Sequence, residues 1–483
     1  MFNNEIFKQA IKSVDFLQFR PVDESKPLQI SYYRCLVDTE KVNQYLLPGI
    51  QENIDSLRRL SDIKGLIPFE DVTVIADTAE VVGKLTKGYV IIQFEGDDLH
   101  YLLVDVNHAS MGHRKSNETE NEFSVIGPKV GFVENIEVNI HLLRQQINTP
   151  ALILEQITVG SLSNTKVLIA YIDGVTNSRH IETMRQRLQA INFDVVFDSS
   201  QLTQIITDHT NTPFPLLVTT ERVDRVIFSI LSGQVAVLSE GSPYAVTAPS
   251  TLLDFFISAE DYYLPWILAS FFRVIRIVGV LFSIIASPLY VSVLTYHFEV
   301  IPESLLQPLI YSRIHVPFPP VIEVIFLEVT IELLREAGAR LPSKIGQTLG
   351  IVGGIVIGQA SVQAAFTSNI LLIIVALSAL ASFTTPIFNM ANTIRLLRFP
   401  FILLAALWGG LGIAVGCMLL LGHLLRLKSL GTPYLAPLFP FRKGHFADSL
   451  VRLSYRHTSN RKGFLKPLSK KRYTPDKENL EHD

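Results

Sequence analysis

Glu328, Glu332 and Glu336 recur every four residues in the segment EVTIELLREAGARLP, and Pro319 and Pro320 supply a helix start just upstream. Proline in a first helical turn has the φ a helix needs and lacks only an amide hydrogen that would have no partner there. At about 100° per residue the three carboxylates span roughly 80° of the helix circumference. Phe326, Thr330, Leu333 and Leu334 take the opposite side, and Glu323 falls with them. Ionised groups at membrane depth cost roughly 2.5–3.5 kcal/mol each on insertion scales, so they face a protein interior or water. Repeated by symmetry around an axis, such carboxylates would form rings that attract cations. Glu328, Glu332, Glu336 and Glu323 are therefore candidate pore-lining residues. The competing reading is an interfacial helix whose carboxylates are solvated and pair with Arg335 and Arg340, since Glu336 and Arg340 have the favourable i, i+4 order.

A second pattern serves packing rather than reaction. Gly346, Gly350, Gly354 and Gly358 stand four apart and make one smooth stripe on a helix. Without Cβ atoms such a stripe admits a second helix closely, within one subunit or between two. Gly412 and Gly416 repeat the spacing. Reaction motifs are missing: there is no phosphate-binding GxxxxGKS or GxxxxGKT, no HExxH, no GxSxG and no GxGxxG after a strand. The histidines, among them His180, His209, His297, His315 and His423, are scattered. Neither an enzyme nor a cofactor or metal site is expected. Cys35 and Cys417 are the only two cysteines, too few for a disulfide framework or a thiolate metal cluster, which suits a reducing compartment.

The elements that carry these residues follow from charge. The 483 residues are 48% hydrophobic and only 18% charged, against roughly 25% charge in ordinary soluble domains. Ile345 to Ile394 contains no Asp, Glu, Lys or Arg, and neither do Ile277 to Phe298 and Phe399 to Leu425. Each run reaches the roughly 20 apolar residues that cross a hydrocarbon core. Expected spans are about Ile277 to Tyr296, Ile345 to Ala360, Ser368 to Ile387 and one within Phe399 to Leu425. Val321 to Leu334 adds an acidic membrane-embedded helix. Before them, aromatics and charges mix in STLLDFFISAEDYYLPWILASFFRVIR, which suits a membrane interface or a helix capping the soluble part.

The N-terminal part reads as α/β, with charged helices alternating with short β-rich runs. PLQISYYRCLV reads as a strand, YVIIQFEG with HYLLVDVN as a hairpin, and KVLIAYIDG as a strand ahead of the amphipathic helix SRHIETMRQRLQAI. A polar stretch around Ala109 to Phe123 separates two subdomains. The organisation expected is an α/β cytosolic N-terminal region in two subdomains, 1–125 and 126–247. An all-α polytopic membrane domain follows over 248–440, then a basic, disordered tail over 441–483. The N-terminus MFNNEIFKQAIKSVDF lacks a secretory signal. Arg273 and Arg276 place the soluble part in the cytosol. With an embedded acidic helix and four spans, the reading preferred, the basic tail falls outside; with an interfacial acidic helix it falls inside, and each arrangement breaks the positive-inside rule once.

Several strings match a known family. They are GPKVGFVENIEVNIHLLR (Gly127 to Arg144), TERVDRV, GQVAVLSEGSP, EDYY (Glu260 to Tyr263), VPFPPVIEV, EVTIELLREAGARLP and GIVGGIVIGQA. From about Gly127 to Pro440 the chain resembles the A subunit of GerA-type spore germinant receptors of endospore-forming bacteria. Ile126, Val223, Gln234 and the Leu264-Pro265 pair depart from the family pattern. The resemblance implies a protein of the spore inner membrane whose N-terminal region faces the core. It implies a permease-like B subunit that holds the nutrient and a lipoprotein C subunit as partners, with membrane lipids around them and no nucleic acid. It also implies a homo-oligomer, a pentamer, acting as a nutrient-gated ion channel that starts germination. A non-conducting relay for the permease-like partner and a secondary transporter remain the alternatives; no inverted repeat supports the transporter.

Overall fold

The computed structural model describes residues 7–21, 28–53, 57, 59–69, 71–94, 97, 100–107, 122, 125–340, 354, 356–441 and 447–473. The soluble half holds two five-stranded sheets. In the first, β1 (Phe16–Phe19), β2 (Leu28–Tyr33), β3 (Val72–Ile75), β4 (Tyr89–Phe94) and β5 (Tyr101–Asp105) lie in the order β1-β2-β4-β5-β3. In the second, β6 (Leu152–Val159), β7 (Thr165–Ile172), β8 (Val218–Thr220), β9 (Val235–Ser239) and β10 (Ala245–Ala248) lie in the order β6-β7-β9-β10-β8. Counted within each sheet, the two orders are the same, and all pairings are antiparallel. The two subdomains thus repeat one topology.

Helices layer these sheets on both faces, so β2, β4, β9 and β10 are buried almost throughout and read as continuous apolar runs. Helix α1 (Leu47–Asn53) covers the outer face of the first sheet through Ile50, together with Leu46 just ahead of it. Between the sheets lie α2 (Thr78–Leu85), α3 (Ile136–Gln146) and, further along the chain, Val223–Ser232. One apolar cluster there joins Tyr33, Ile91 and Leu103 of the first sheet to Leu154, Leu168 and Leu238 of the second through Ile136, Ile140 and Leu143. The outer face of the second sheet is closed by α4 (Ser178–Gln189) and α5 (Ser199–Ile206). Asn135, Asn177 and Asp198 start α3, α4 and α5 by accepting backbone N–H bonds that would otherwise lack partners. The helix Val223–Ser232, α6, ends at Gly233 with φ 101°, which only glycine adopts freely.

The seam between subdomains is pinned by a buried ion pair. Arg144 of α3 donates through Nε and Nη2 to both Asp15 oxygens at 2.9 Å and to Ser13 Oγ at 2.8 Å, with Tyr33 beneath the guanidinium at 4.2 Å. Burial alone would raise the Asp15 carboxyl. The Arg144 charge and the bonds from Arg144, Ser13 and Cys35 outweigh it and hold Asp15 below the ordinary carboxylate range.

Two 3₁₀ turns, Leu252–Phe256 and Ala259–Tyr262, join the soluble half to a helical half. The latter comprises α7 (Trp266–Tyr296), α8 (Glu303–Arg313), α9 (Pro320–Arg340), α10 (Asn369–Ser382) and α11 (Phe388–Arg426). Of these, α7 and α11 are long and apolar enough to cross a membrane. The aromatic segment expected at the interface instead divides: Phe255 and Phe256 are buried in the joint, whereas Trp266, Phe271 and Phe272 are exposed at the start of α7. Arg273 and Arg276, used above to orient the first span, both grip Asp261, at 3.2 Å and at 2.7 and 2.9 Å. Asp261 is 0% exposed.

Helix α11 is not the single span expected within Phe399 to Leu425. Straight, its 39 residues would run about 58 Å, nearly twice a hydrocarbon core. At Gly409 the backbone takes φ 58° and ψ −133°, and the chain reverses. Gly416 then lies against Phe401 and Leu404, and a Cβ on Gly412 would stand 1.9 Å from the Leu404 carbonyl oxygen. Tyr296 at the end of α7 closes the bend, its hydroxyl donating to the Ala406 and Leu407 carbonyls at 2.9 Å each. Both ends of the hairpin meet the same soluble loop: Thr393 Oγ1 donates to Pro213 O, and Thr212 Oγ1 bonds His423 Nε2 at 2.9 Å.

The reversal brings the C-terminal segment back to the soluble half, correcting the expected outward tail. Nor are residues 447–473 a solvated end. Lys462 Nζ lies 2.5 Å from Asp254 Oδ1, Arg461 Nε donates to Leu231 O at 2.8 Å, Leu468 N donates to Val175 O at 2.9 Å, and Phe464 and Leu465 are buried. Basic residues read as solvated because sequence cannot show a distant acid. Here Asp254, in the joint, is that acid.

Candidate functional site

The candidate site is the charged interior of the helical half, where α7, α9, α10 and α11 converge. Helix α9 begins at Pro320 and sends Val324 and Leu327 into an apolar cluster with Val291, Leu371, Val375, Ile402 and Ala405. That packing seals one end of α9, so Glu328, Glu332 and Glu336, though on one side of the helix, meet different surroundings.

Glu328 is 1% exposed and ion-paired with Arg398 from the first arm of α11. Ser287 Oγ of α7 donates to its other oxygen at 2.7 Å. Arg398 fills its remaining donors on Ser283 O at 2.9 Å, Ser283 Oγ at 2.7 Å and Ser378 O at 3.3 Å. One carboxylate and one guanidinium therefore join four helices. Glu323, also buried, accepts from Arg313 of α8 at 2.7 Å and from the Ser368 amide at 3.3 Å. Ser368 caps α10 by accepting from Leu371 N, and its hydroxyl meets Tyr290 OH at 3.1 Å.

Glu332 is one quarter exposed. Arg335 holds it through Nε at 3.0 Å and Nη2, and Arg395 Nε stands 3.7 Å away. Glu336 is 62% exposed and pairs with Arg340 along the helix surface. From Glu323 to Glu336 the carboxylates thus run from sealed to solvated. All of them are paired with arginines, but Glu323 and Glu328 are sealed from any passing ion, whereas Glu336 faces solvent.

Of the glycine stripe, Gly346 and Gly350 lie outside the described residues, as does most of the expected span Ile345 to Ala360. Gly358 would place a Cβ 3.5 Å from Leu372, and Gly354 has open space among the described residues. Sequence reasoning missed Arg398, Arg313 and the serine set Ser283, Ser287 and Ser378. The available signal was the i, i+4 pair of serines in an otherwise apolar run, which marks a polar stripe on α7.

With this interior described, comparison with known proteins decides the family. A family model for the Bacillus/Clostridium GerA spore germination protein matches residues 4–464. The chain belongs to this GerA family. It is 46% identical over 465 residues to spore germination protein GerQA of Bacillus cereus, covering 96% of this chain and 92% of that one. It is also 46% identical over 448 residues to spore germination protein GerIA of Bacillus cereus, covering 92% of this chain and 66% of that relative. Among solved structures, the N-terminal domain of the A subunit of the Bacillus megaterium spore germinant receptor GerK3 matches at 26% identity with a TM-score of 0.38, covering 51% of this chain and 92% of that chain. In this GerA-family protein the sealed pair Glu328–Arg398 and the half-open Glu332 both lie in the matched region.

Proposed function

We propose that this chain is the membrane A subunit of a nutrient germinant receptor and that copies of it form a cation-conducting oligomer that starts spore germination. Family membership over nearly the whole chain carries the receptor reading. The helical half supports membrane insertion, because Leu281, Leu403, Leu407, Leu411, Met418 and Leu419 expose a wide apolar surface around a charge-paired interior. The proposed setting is the spore inner membrane, with the soluble half and the tail on the core side. A permease-like B subunit and a lipoprotein C subunit complete the receptor, and a pentamer is the assembly the family resemblance favours.

Within that oligomer the exposed acidic end of α9 at Glu336 faces the axis and attracts cations, while Glu332 is committed to Arg335 and Arg395 inside the subunit. Glu323 and Glu328 hold the subunit together. The open edge at Gly354 is the helix-packing contact between subunits. A non-conducting relay is the second reading, favoured by the pairing of the two deepest carboxylates inside the subunit.

Ion flux from receptor reconstituted in liposomes separates the two. Glu336→Gln should leave complex abundance unchanged and lower nutrient-triggered monovalent cation flux or its selectivity. Unchanged flux and selectivity at normal abundance remove this end of α9 from the path. No flux from the wild-type receptor under any nutrient supports the relay.

A further inference from the structure

Arg335 and Arg395 share one carboxylate and one neutral oxygen. Arg335 occupies Glu332 with two donors, and Arg395 reaches the other Glu332 oxygen only at 3.7 Å. Both guanidiniums also donate to Asn392 Oδ1, Arg335 Nη1 at 3.2 Å and Arg395 Nη2 closer. The Arg395 side chain is 6% exposed, yet among the described residues its Nε has no hydrogen-bond partner. The neighbouring carboxylate, Glu328, is committed to Arg398 and offers no relief. Two guanidiniums, one of them buried, thus share a single carboxylate, which leaves one positive charge without a counter-ion of its own among the described residues.

The surroundings name the missing anion. Leu333, Leu380, Phe383, Phe388 and Leu396 are exposed apolar side chains, and the Phe383 ring centre lies 5.9 Å from the Arg395 guanidinium. On its other side Asn392 lines a groove of about 610 Å³ between the first arm of α11 and the soluble half. Hydroxyls and amides of Thr203, Thr207, Thr210, Thr212 and Asn389 line that groove. The corner sits where the hairpin meets the soluble loop, one residue from the Thr393 bond to Pro213. An apolar wall, a doubly basic centre and a hydroxyl-lined groove therefore follow one another at the end of the helices.

We propose that this corner binds the headgroup of an anionic phospholipid, with the phosphodiester on Arg335 and Arg395, the acyl chains along Leu333, Phe383 and Leu396, and the polar headgroup in the groove. Guanidinium forks match phosphate oxygens in pairs, and basic pockets between membrane helices take anionic headgroups. The proposal rests on the membrane placement given above. Free phosphate has the same charged chemistry without the acyl chains.

The test uses the full chain in nanodiscs of phosphatidylglycerol and phosphatidylcholine, with retained lipid read by native mass spectrometry. Wild-type protein should retain phosphatidylglycerol over phosphatidylcholine by about tenfold or more. Arg335→Gln should remove most of that preference. Asn392→Asp should remove it while raising thermal stability, because a carboxylate fixed between the arginines replaces the lipid phosphate. Glu336→Gln, on the same helix, should leave the preference unchanged.

A preference that is absent in the wild type, or that survives both Arg335→Gln and Asn392→Asp, overturns the site. Inorganic phosphate that stabilises the detergent-solubilised protein as much as phosphatidylglycerol does, and displaces it, assigns the corner to a free anion and overturns the lipid. Flotation with liposomes is scored separately: failure to float sinks the membrane placement, whereas flotation without lipid preference sinks this site alone.

Discussion

Glu328 of α9 and Arg398 of α11, 70 positions apart, form an ion pair sealed to 1% and 2% exposure, with serines of α7 and α10 completing it. Removing one partner leaves a charge buried without its counter-ion, which costs about 3–5 kcal/mol. Glu328→Gln should therefore lower the thermal stability of the solubilised chain sharply, and Glu328→Gln with Arg398→Gln should recover part of the loss. A double variant as unstable as the sum of the singles would show that the two side chains do not act as a pair.

Gly409 should tolerate no side chain. Its φ of 58° disfavours L-residues, and a Cβ there would stand 2.9 Å from the Tyr296 ring. Gly409→Ala should cost upwards of about 1–2 kcal/mol, and Tyr296→Phe about 1 kcal/mol for the single hydroxyl proton shared between the Ala406 and Leu407 carbonyls. Protease-resistant yield of the full-length variants measures both, and a wild-type yield for Gly409→Ala would contradict the reversal.

In a membrane, the reversal would put the tail and the soluble half on one side. Leu162 in the second subdomain and Leu468 in the tail are both exposed, at 74% and 61%. Cysteines placed there singly, as Leu162→Cys and Leu468→Cys with Cys417→Ser, should react with a membrane-impermeant thiol reagent from the same side of sealed vesicles. Labelling from opposite sides would restore an odd number of crossings.

His180 of α4 couples the tail to pH. Burial first, and then the Lys466 charge, push its pKa down from 6.5 to about 4. Between these values the unfolded chain binds more protons than the folded one, so stability falls as pH drops through that window and is fully present above it. The loss is at most about 3 kcal/mol. Because His180 Nε2 lies 3.5 Å from Thr432 Oγ1 and Lys466 belongs to the tail, acid should loosen 447–473 first. Limited proteolysis of the tail should rise from pH 7 to pH 5 in the wild type and stay flat in His180→Gln; equal acid sensitivity in the two would dismiss His180 as the cause.

Periodicity and punctuation made much of the fold legible. Runs such as YVIIQF and VLIAYI are strands because layers on both faces bury them, and the charge-free stretches read as membrane-length helices because no soluble core excludes charge for so long. The strings that carry the family lie in the sequence as they stand. Two facts did not. Residue spacing says which side of a helix is acidic or apolar, but the register between helices decides whether Glu328 meets water or Arg398. The run Phe399 to Leu425 gives the same composition whether it continues or turns back at Gly409. Burial of ionic groups and chain reversal depend on partners distant in sequence, Arg398 for Glu328 and Tyr296 for Gly409, and only packing brings them within reach.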